Sequence, residues 1–406
     1  MRILLLTQWF QPEPMFKGLP FAKALVEMGY DVEVLTGFPN YPGGKVYPGY
    51  HLRLWQREIM DGIRINRIAL FPSHDRIGWR RILNYLSFAF CLLLVGIWLV
   101  RRPKIIYVFN LVTLMPFAVM LSFLTKAKIL LDVQDLWPES VSRSNMLENR
   151  LSLRLLNMFC LWAYRHADWL TVLSPGFKQN LVNRGLSVDR IEVIYNWCDE
   201  AALSYKSSFD NSNSALDFKG KFLVIFAGTM GMMQGLDAVL NAAEICQVRS
   251  PQAQFVLIGS GVDRIRLETV AKEKRLSNVT FIPPRPQSGM RPLLENAGAL
   301  LVHLKDDPLF RITIPSKTQA YMFVGKPIIM AMAGDAAELV AQAGAGICCR
   351  PDDGNALASA VEQLMKMTES ERRAIGSAGA EFYQKHLSMA VGIRLFANRF
   401  EVLSRS

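Results

Sequence analysis

Short apolar runs alternate with longer stretches of helical period along nearly the whole chain, the pattern of parallel sheets covered by helices on both faces. Two such series are legible. In the first, strands are expected at 3–6, 32–36, 105–109, 129–132, 169–173 and 191–195, after which the Ser-, Asp- and Asn-rich stretch 200–221 reads as a connection. In the second, strands are expected at 222–227, 254–258, 279–282, 300–304, 327–330 and 346–349. Helices are expected at 316–324, behind a Pro-Ser start signal, and at 355–367; a last helix at 388–403 follows the second series without a strand to serve. The fold class is therefore α/β, with two doubly wound parallel-sheet domains. The 406 residues agree, because one hydrophobic core usually serves no more than roughly 250 to 300.

The run 82–100 is as long as a bilayer crossing requires. Were it to cross, the residues before it would be parted from strands that must complete their sheet. A helix packed in the domain, or lying partly among lipid headgroups with Arg80, Arg81, Arg101 and Arg102 at its ends and Trp98 at the interface, keeps the sheet whole. The run 111–124 is a second apolar helix with similar flanks.

Charge sharpens this. The net charge of +11 suits nucleic acid, anionic lipid or phosphorylated small molecules alike. From Arg76 to Leu131, however, eight basic residues stand with no acidic one, around apolar runs. No nucleic-acid-binding signature accompanies them, so a membrane-facing region at 76–128 is expected and a nucleic-acid partner is not. Six cysteines show no metal or redox spacing and read as core residues of a reducing compartment. The opening apolar run is too short for a signal peptide, so a cytoplasmic location is expected.

Phosphate binds where strand ends meet helix N-termini, and several loops suit it. Gly228-Thr229-Met230-Gly231 and Gly259-Ser260-Gly261 each follow a strand, their glycines letting a ligand approach the backbone. In 310–317, Pro315 stops the incoming chain and Ser316 is a candidate cap, leaving amides beside Arg311 and Lys317, two cations suited to a diphosphate leaving group. In the first half, Asp132, Asp135 and Glu139 surround Trp137 at a strand end; a carboxylate there can accept a proton and an indole can stack on a sugar ring.

These segments resemble the retaining glycosyltransferases of family 4, in the branch that builds bacterial surface polysaccharides and includes N-acetylfucosamine transferases. The resemblance rests on Gln11-Pro12-Glu13-Pro14, Thr36-Gly37-Phe38-Pro39-Asn40-Tyr41-Pro42, Asp135-Leu136-Trp137-Pro138-Glu139, Leu173-Ser174-Pro175-Gly176, Ile194-Tyr195-Asn196, Gln234-Gly235-Leu236-Asp237, Pro315-Ser316-Lys317, Gly325-Lys326-Pro327 and Gly344-Ala345-Gly346, in that order. It implies a GT-B fold, two Rossmann-like domains facing across a cleft: an acceptor domain at 1–199, a nucleotide-sugar domain at 200–387 and a final helix at 388–406 crossing back. It implies donor contacts at Gly228, Thr229, Gln234, Ser260, Gly261, Pro284, Arg285, Asp307, Pro315, Ser316 and Lys317. On the acceptor side it implies Lys17, Gly18, Asn40, Tyr41, Trp137 and Glu139, with Glu13, Asp135, Arg311 and Lys317 as candidate catalytic residues.

There are departures. Where many relatives carry two glutamates eight positions apart, Ile312 and Ala320 stand; where they carry the diphosphate-gripping Arg and Lys, Thr229 and Gln234 stand. Arg311 and Lys317 are expected to restore the positive charge, and Asp306 or Asp307 the carboxylate. The resemblance further implies a UDP-linked donor, a polyprenyl-diphosphate-linked acceptor at the cytoplasmic face of the plasma membrane, and front-side displacement in which the leaving phosphate deprotonates the acceptor. No metal or cofactor is expected. A nucleotide-sugar epimerase and a non-catalytic membrane scaffold of the same fold are the rival readings.

Overall fold

The computed structural model describes residues 1–74, 78–143, 149–204, 218 and 220–405; Arg76 and most of the expected connection at 200–221 lie outside the described residues. The chain divides into two compact units, Met1–Ile194 with Ile393–Ser406, and Tyr195–Gly392. The joints thus fall at 194/195 and 392/393, near the expected 199/200 and 387/388.

The first unit holds an eight-stranded sheet: β1 Arg2–Leu6, β2 Asp31–Gly37, β3 Trp55–Met60, β4 Ile63–Ile68, β5 Ile105–Phe109, β6 Lys128–Val133, β7 Trp169–Val172 and β8 Ile191–Val193. Their order is β3-β4-β2-β1-β5-β6-β7-β8, parallel except for β3 against β4. Every residue of β5 is buried, as a strand covered on both faces requires. The hairpin β3–β4 was not expected: it turns on Asp61 and Gly62, both at positive φ (49° and 80°), the backbone a two-residue hairpin needs.

Helices Gly78–Leu99, Met115–Thr125 and Arg150–His166 pack beside one another. Gly78–Leu99 is long and apolar enough to cross a membrane by length and composition. It is nevertheless tied into the unit. Gln8 Nε2 donates to Asn84 Oδ1 (2.5 Å), Asn84 Nδ2 donates to the carbonyl of Phe71 (2.6 Å), and Phe88 and Leu92 are fully buried. Its outer face leaves Trp79, Leu86, Phe90, Leu94 and Trp98 exposed, Trp98 to 83 %. Part of the final helix Met389–Arg405 completes the core: Phe396 packs edge-on against Phe21 and Tyr107, at 5.5 Å from each.

The second unit is a six-stranded all-parallel sheet: β9 Phe222–Ala227, β10 Ala253–Ile258, β11 Val279–Ile282, β12 Ala299–His303, β13 Ile328–Ala331 and β14 Gly346–Cys349, in the order β11-β10-β9-β12-β13-β14. Its core joins Phe226, Phe255 and Leu301 of the strands to Val239 and Leu357 of the helices Asp237–Arg249 and Gly354–Lys366. Both units are thus parallel-sheet α/β domains of the Rossmann type.

Candidate functional site

Ligands gather in an open parallel sheet where the strand order reverses, because the loops there leave in opposite directions and open a crevice at the carboxyl ends. In the second unit that point lies between β9 and β12. Lys317 arrives there as the second residue of the helix Ser316–Val324, its Nζ 3.6 Å from the centre of the Phe226 ring. A Cβ on Gly228 would stand 3.1 Å from that Nζ, so the glycine after β9 makes room for the ammonium. Burial pulls the Lys317 amine down to about 7. Pro315, not Ser316, holds the cap position; Ser316 is the first helical residue and is exposed, and no side chain caps the turn. A helix N-terminus without a side-chain cap, beside a lysine whose charged form an anion would favour, suits an anion.

Thr229, Ser260, Gly261, Pro284 and Arg285 are all exposed in the loops that leave β9, β10 and β11 at this edge. The glycines of the second loop do something other than expected. A Cβ on Gly259 would lie 1.9 Å from the carbonyl oxygen of Gly228, and one on Gly261 2.1 Å from that of Met230. They let one loop pack on the next, where Met230 N–H donates to the carbonyl of Ser260 (2.8 Å). Gln234 is structural too: its Oε1 accepts from Gly231 N–H (2.9 Å), and its carbonyl accepts from His303 Nδ1 (2.6 Å). Because Asp352 N–H donates to His303 Nε2 (3.2 Å), the imidazole is the neutral Nδ1–H tautomer, and burial lowers its basicity further.

The expected compensation by Arg311, Asp306 and Asp307 takes a different form. Arg311 is exposed and its guanidinium binds Asp306 through two hydrogen bonds of 2.8 and 2.9 Å. Asp307 caps the short helix Pro308–Arg311, accepting from Leu309 N–H (2.8 Å). Of the two expected cations, Lys317 is the one beside the glycine loop.

In the first unit, Asp135 stands exposed beyond the carboxyl end of β6, where desolvation by its surroundings raises its pKa from the ordinary value. Its charge in turn raises the phenols of Tyr41 and Tyr85, after the larger effect of burial. These tyrosines belong to a run of rings: His74 to Tyr41 at 4.6 Å, Tyr41 to Trp9 at 5.6 Å, Trp9 to Tyr85 and Tyr85 to Trp137 at 6.0 Å. A carboxylate beside such a wall can hold sugar hydroxyls while a ring covers the apolar face. Trp9, His74 and Tyr85 were not expected in the site; the sequence places them on three separate segments, and no local spacing links them.

Several expected contacts turn inward. Glu13 is buried, accepting from the backbone N–H groups of Phe10 (3.0 Å), Asn40 (2.8 Å) and Tyr41 (2.7 Å), with burial raising its carboxyl to about 7. Lys17 forms a buried ion pair with Asp132 (2.6 Å), whose Oδ2 also accepts from Tyr107 (2.6 Å). Gly18 gives way to the Gln11 side chain, Asn40 is buried, and Glu139 is held by Arg184 at 2.5 Å. Glu13, Lys17, Gly18 and Asn40 are thus taken up inside the unit, whereas Glu139 opens the short helix Glu139–Arg143 with its side chain 40 % exposed. Of the expected membrane residues, Arg80 is exposed beside Trp79, Arg102 is exposed, Arg81 is partly buried near Tyr85, and Arg101 is paired with Asp31 (2.9 Å).

Residues 19–197 match the family described as Glycosyl transferase 4-like domain, and residues 208–382 that described as Glycosyl transferases group 1. WcaI of Escherichia coli (strain K12), a glycosyl transferase named for colanic acid biosynthesis, is 23% identical over 389 residues, 92% of each chain. WbjE of Pseudomonas aeruginosa, named as a glycosyltransferase, is 24% identical over 66% of this chain and 67% of its own. Among solved structures, sucrose-phosphate synthase from Thermosynechococcus elongatus superposes with a TM-score of 0.71 at 18% identity over the full length of both. Anabaena HepE in complex with UDP gives 0.65 at 17% identity, over 99% of this chain and 100% of its own.

Proposed function

Because the chain is a glycosyltransferase of the GT-B fold in the company of polysaccharide-building relatives, we propose that it moves a sugar, with retention of configuration, from a UDP-sugar to a polyprenyl-diphosphate-linked saccharide. The sugar is proposed to be an N-acetylated deoxyhexose or hexosamine, the setting bacterial surface polysaccharide synthesis, and the place the cytoplasmic face of the plasma membrane. The observation that carries the donor side is Lys317 at Gly228, beside a helix start that no side chain caps, at the switch point of the second sheet. The diphosphate would lie against those amides, and its charge would raise the affinity of Lys317 for the proton that burial has loosened, so that the amine takes one up from solvent. Its growing charge is then neutralised as the glycosidic bond breaks, and the leaving phosphate can take the acceptor proton, so the mechanism asks for no strong protein base.

On the acceptor side, the ring wall beside Asp135 suits a saccharide, and the exposed face of Gly78–Leu99, with Arg80 and Arg102 near its ends, suits a headgroup layer. The test is to incubate the protein with candidate UDP-sugars and measure released UDP with and without a detergent-dispersed membrane lipid extract. Release that depends on the lipid and on one sugar is the expected result; release that ignores the lipid would remove the lipid-linked acceptor.

One observation favours a second reading. Ile312 and Ala320 occupy the glutamate positions, and Asp306 and Asp307 are engaged elsewhere. Donor binding without turnover on any acceptor would make the chain a non-catalytic scaffold.

A further inference from the structure

At the opposite end of the first sheet from Asp135, where β5, β6 and β7 begin, a pocket of about 600 Å³ opens between Lys104, Phe123, Lys126, Lys128, Asp168 and Leu403. Three of these six are lysines. Lys128 is answered by Asp168 at 3.5 Å. Lys104 and Lys126 are exposed, and among the described residues no carboxylate lies within ion-pair distance of either. The hydroxyls in the wall are already engaged, Ser122 donating to the carbonyl of Ala127 (2.6 Å) and Thr125 to that of Leu121 (2.7 Å). The pocket therefore offers two ammonium groups and asks for an anion.

Its rim asks for something else. Phe123 in its wall is 76 % exposed, Leu124 next to it in the chain is 53 % exposed, and the Lys126 Nζ hangs 5.5 Å from the Phe123 ring. The neighbouring helix Gly78–Leu99 ends close by in the sequence to Lys104, with Trp98 exposed on its last turn. Uncompensated cations in a recess with large apolar side chains at its lip fit an amphiphile whose polar end is a phosphate.

We propose that this pocket binds the phosphodiester headgroup of an anionic phospholipid, Lys104 and Lys126 holding the phosphate while Phe123 and Leu124 enter the acyl boundary. The inference shares with the proposed function the reading that this unit meets a membrane; a soluble phosphodiester would offer the same polar chemistry without the acyl chains.

The test compares the full-length protein with the variants K104Q/K126Q and K272Q/K366Q, the second pair removing equal charge from exposed positions of the other unit. Partition onto phosphatidylcholine vesicles is measured with and without phosphatidylglycerol. K104Q/K126Q is expected to lose about thirty-fold on the anionic vesicles, from about 1 kcal/mol per lysine at the surface, while UDP binding is unchanged and K272Q/K366Q partitions as wild type does. Equal losses in the two variants, or none in the first, overturn the proposal. Calorimetry with glycerophosphoglycerol, the deacylated headgroup, separates the sources. Binding that K104Q/K126Q abolishes, with no gain on vesicles, keeps the phosphate pocket but assigns it a soluble ligand. If the wild type ignores every vesicle, the membrane reading falls by itself, and absence of heat with the headgroup as well overturns the pocket.

Discussion

Lys317 and Glu13 carry their roles in their proton affinities. An amine whose pKa falls to about 7 on folding binds fewer protons folded than unfolded. It therefore stabilises the fold least below pH 7, and more as pH rises towards its unfolded value of about 10.5. Binding a diphosphate reverses the shift. UDP binding is accordingly expected to take up close to one proton at pH 8 and to weaken as pH rises above 7, read by calorimetry in buffers of different ionisation heat. Lys317→Met should abolish the uptake and lower kcat/KM by about 10² to 10³; an unchanged rate would remove Lys317 from the diphosphate. Glu13 runs the other way. Its carboxyl rises to about 7, so stability should grow as pH falls through 7, by about 2 kcal/mol at pH 5.5. Denaturant unfolding at pH 8 and 5.5 should show that increment as the difference between wild type and Glu13→Gln, since Lys317 makes the same opposing contribution in both. The sequence pointed to both residues by motif but gave them different work: a glutamate and a lysine four positions apart in a loop look alike whether they meet a substrate or, as Glu13 and Lys17 do, backbone amides and a buried aspartate.

At the scale of elements, strands written as continuous apolar runs were legible: β5, buried at every residue, has the expected bounds, and so do β9 and the partly buried edge strands β11 and β14. The hairpin β3–β4 escaped because β3 is an edge strand whose residues are alternately exposed, including Arg57 paired to Asn66 at 2.9 Å, so its charged positions resemble a loop. Asp61-Gly62 was the signal that could have found it. The loops at the switch point were legible as glycine-rich, but not which glycine served the ligand and which served another loop. That distinction makes a prediction. Gly259→Ala drives a methyl into the Gly228 carbonyl from a backbone at φ 146°, and is expected to cost about 3 kcal/mol. The same change should raise the donor KM, because the first loop must retreat. A variant with wild-type stability and donor KM would show that the two loops are not mutually braced.

For the molecule as a whole, the decisive fact is that one unit is continuous in sequence and the other is not. The buried pair Lys17–Asp132 lies under Phe396, whose ring centre is 4.8 Å from the ammonium, and Phe400 adds a second ring against Tyr107 at 5.9 Å. Removing 393–406 should therefore open the first unit, taking Phe396 and Phe400 from the core, where the loss of one large buried aromatic side chain typically costs about 3 to 5 kcal/mol. Limited proteolysis is expected to cut this truncated chain within 1–194 while UDP binding through 195–392 survives. Protection of both units would mean that the helix is dispensable. The same arrangement bears on how the chain is made. A ribosome releases 1–194 before 195–392, yet the rings that close the first core emerge only after both. The intervening 195–392 can fold while the first unit still waits with Phe21 and Tyr107 uncovered. The unit begun first is completed last, and a nascent chain stalled near residue 390 is the form most in need of a chaperone.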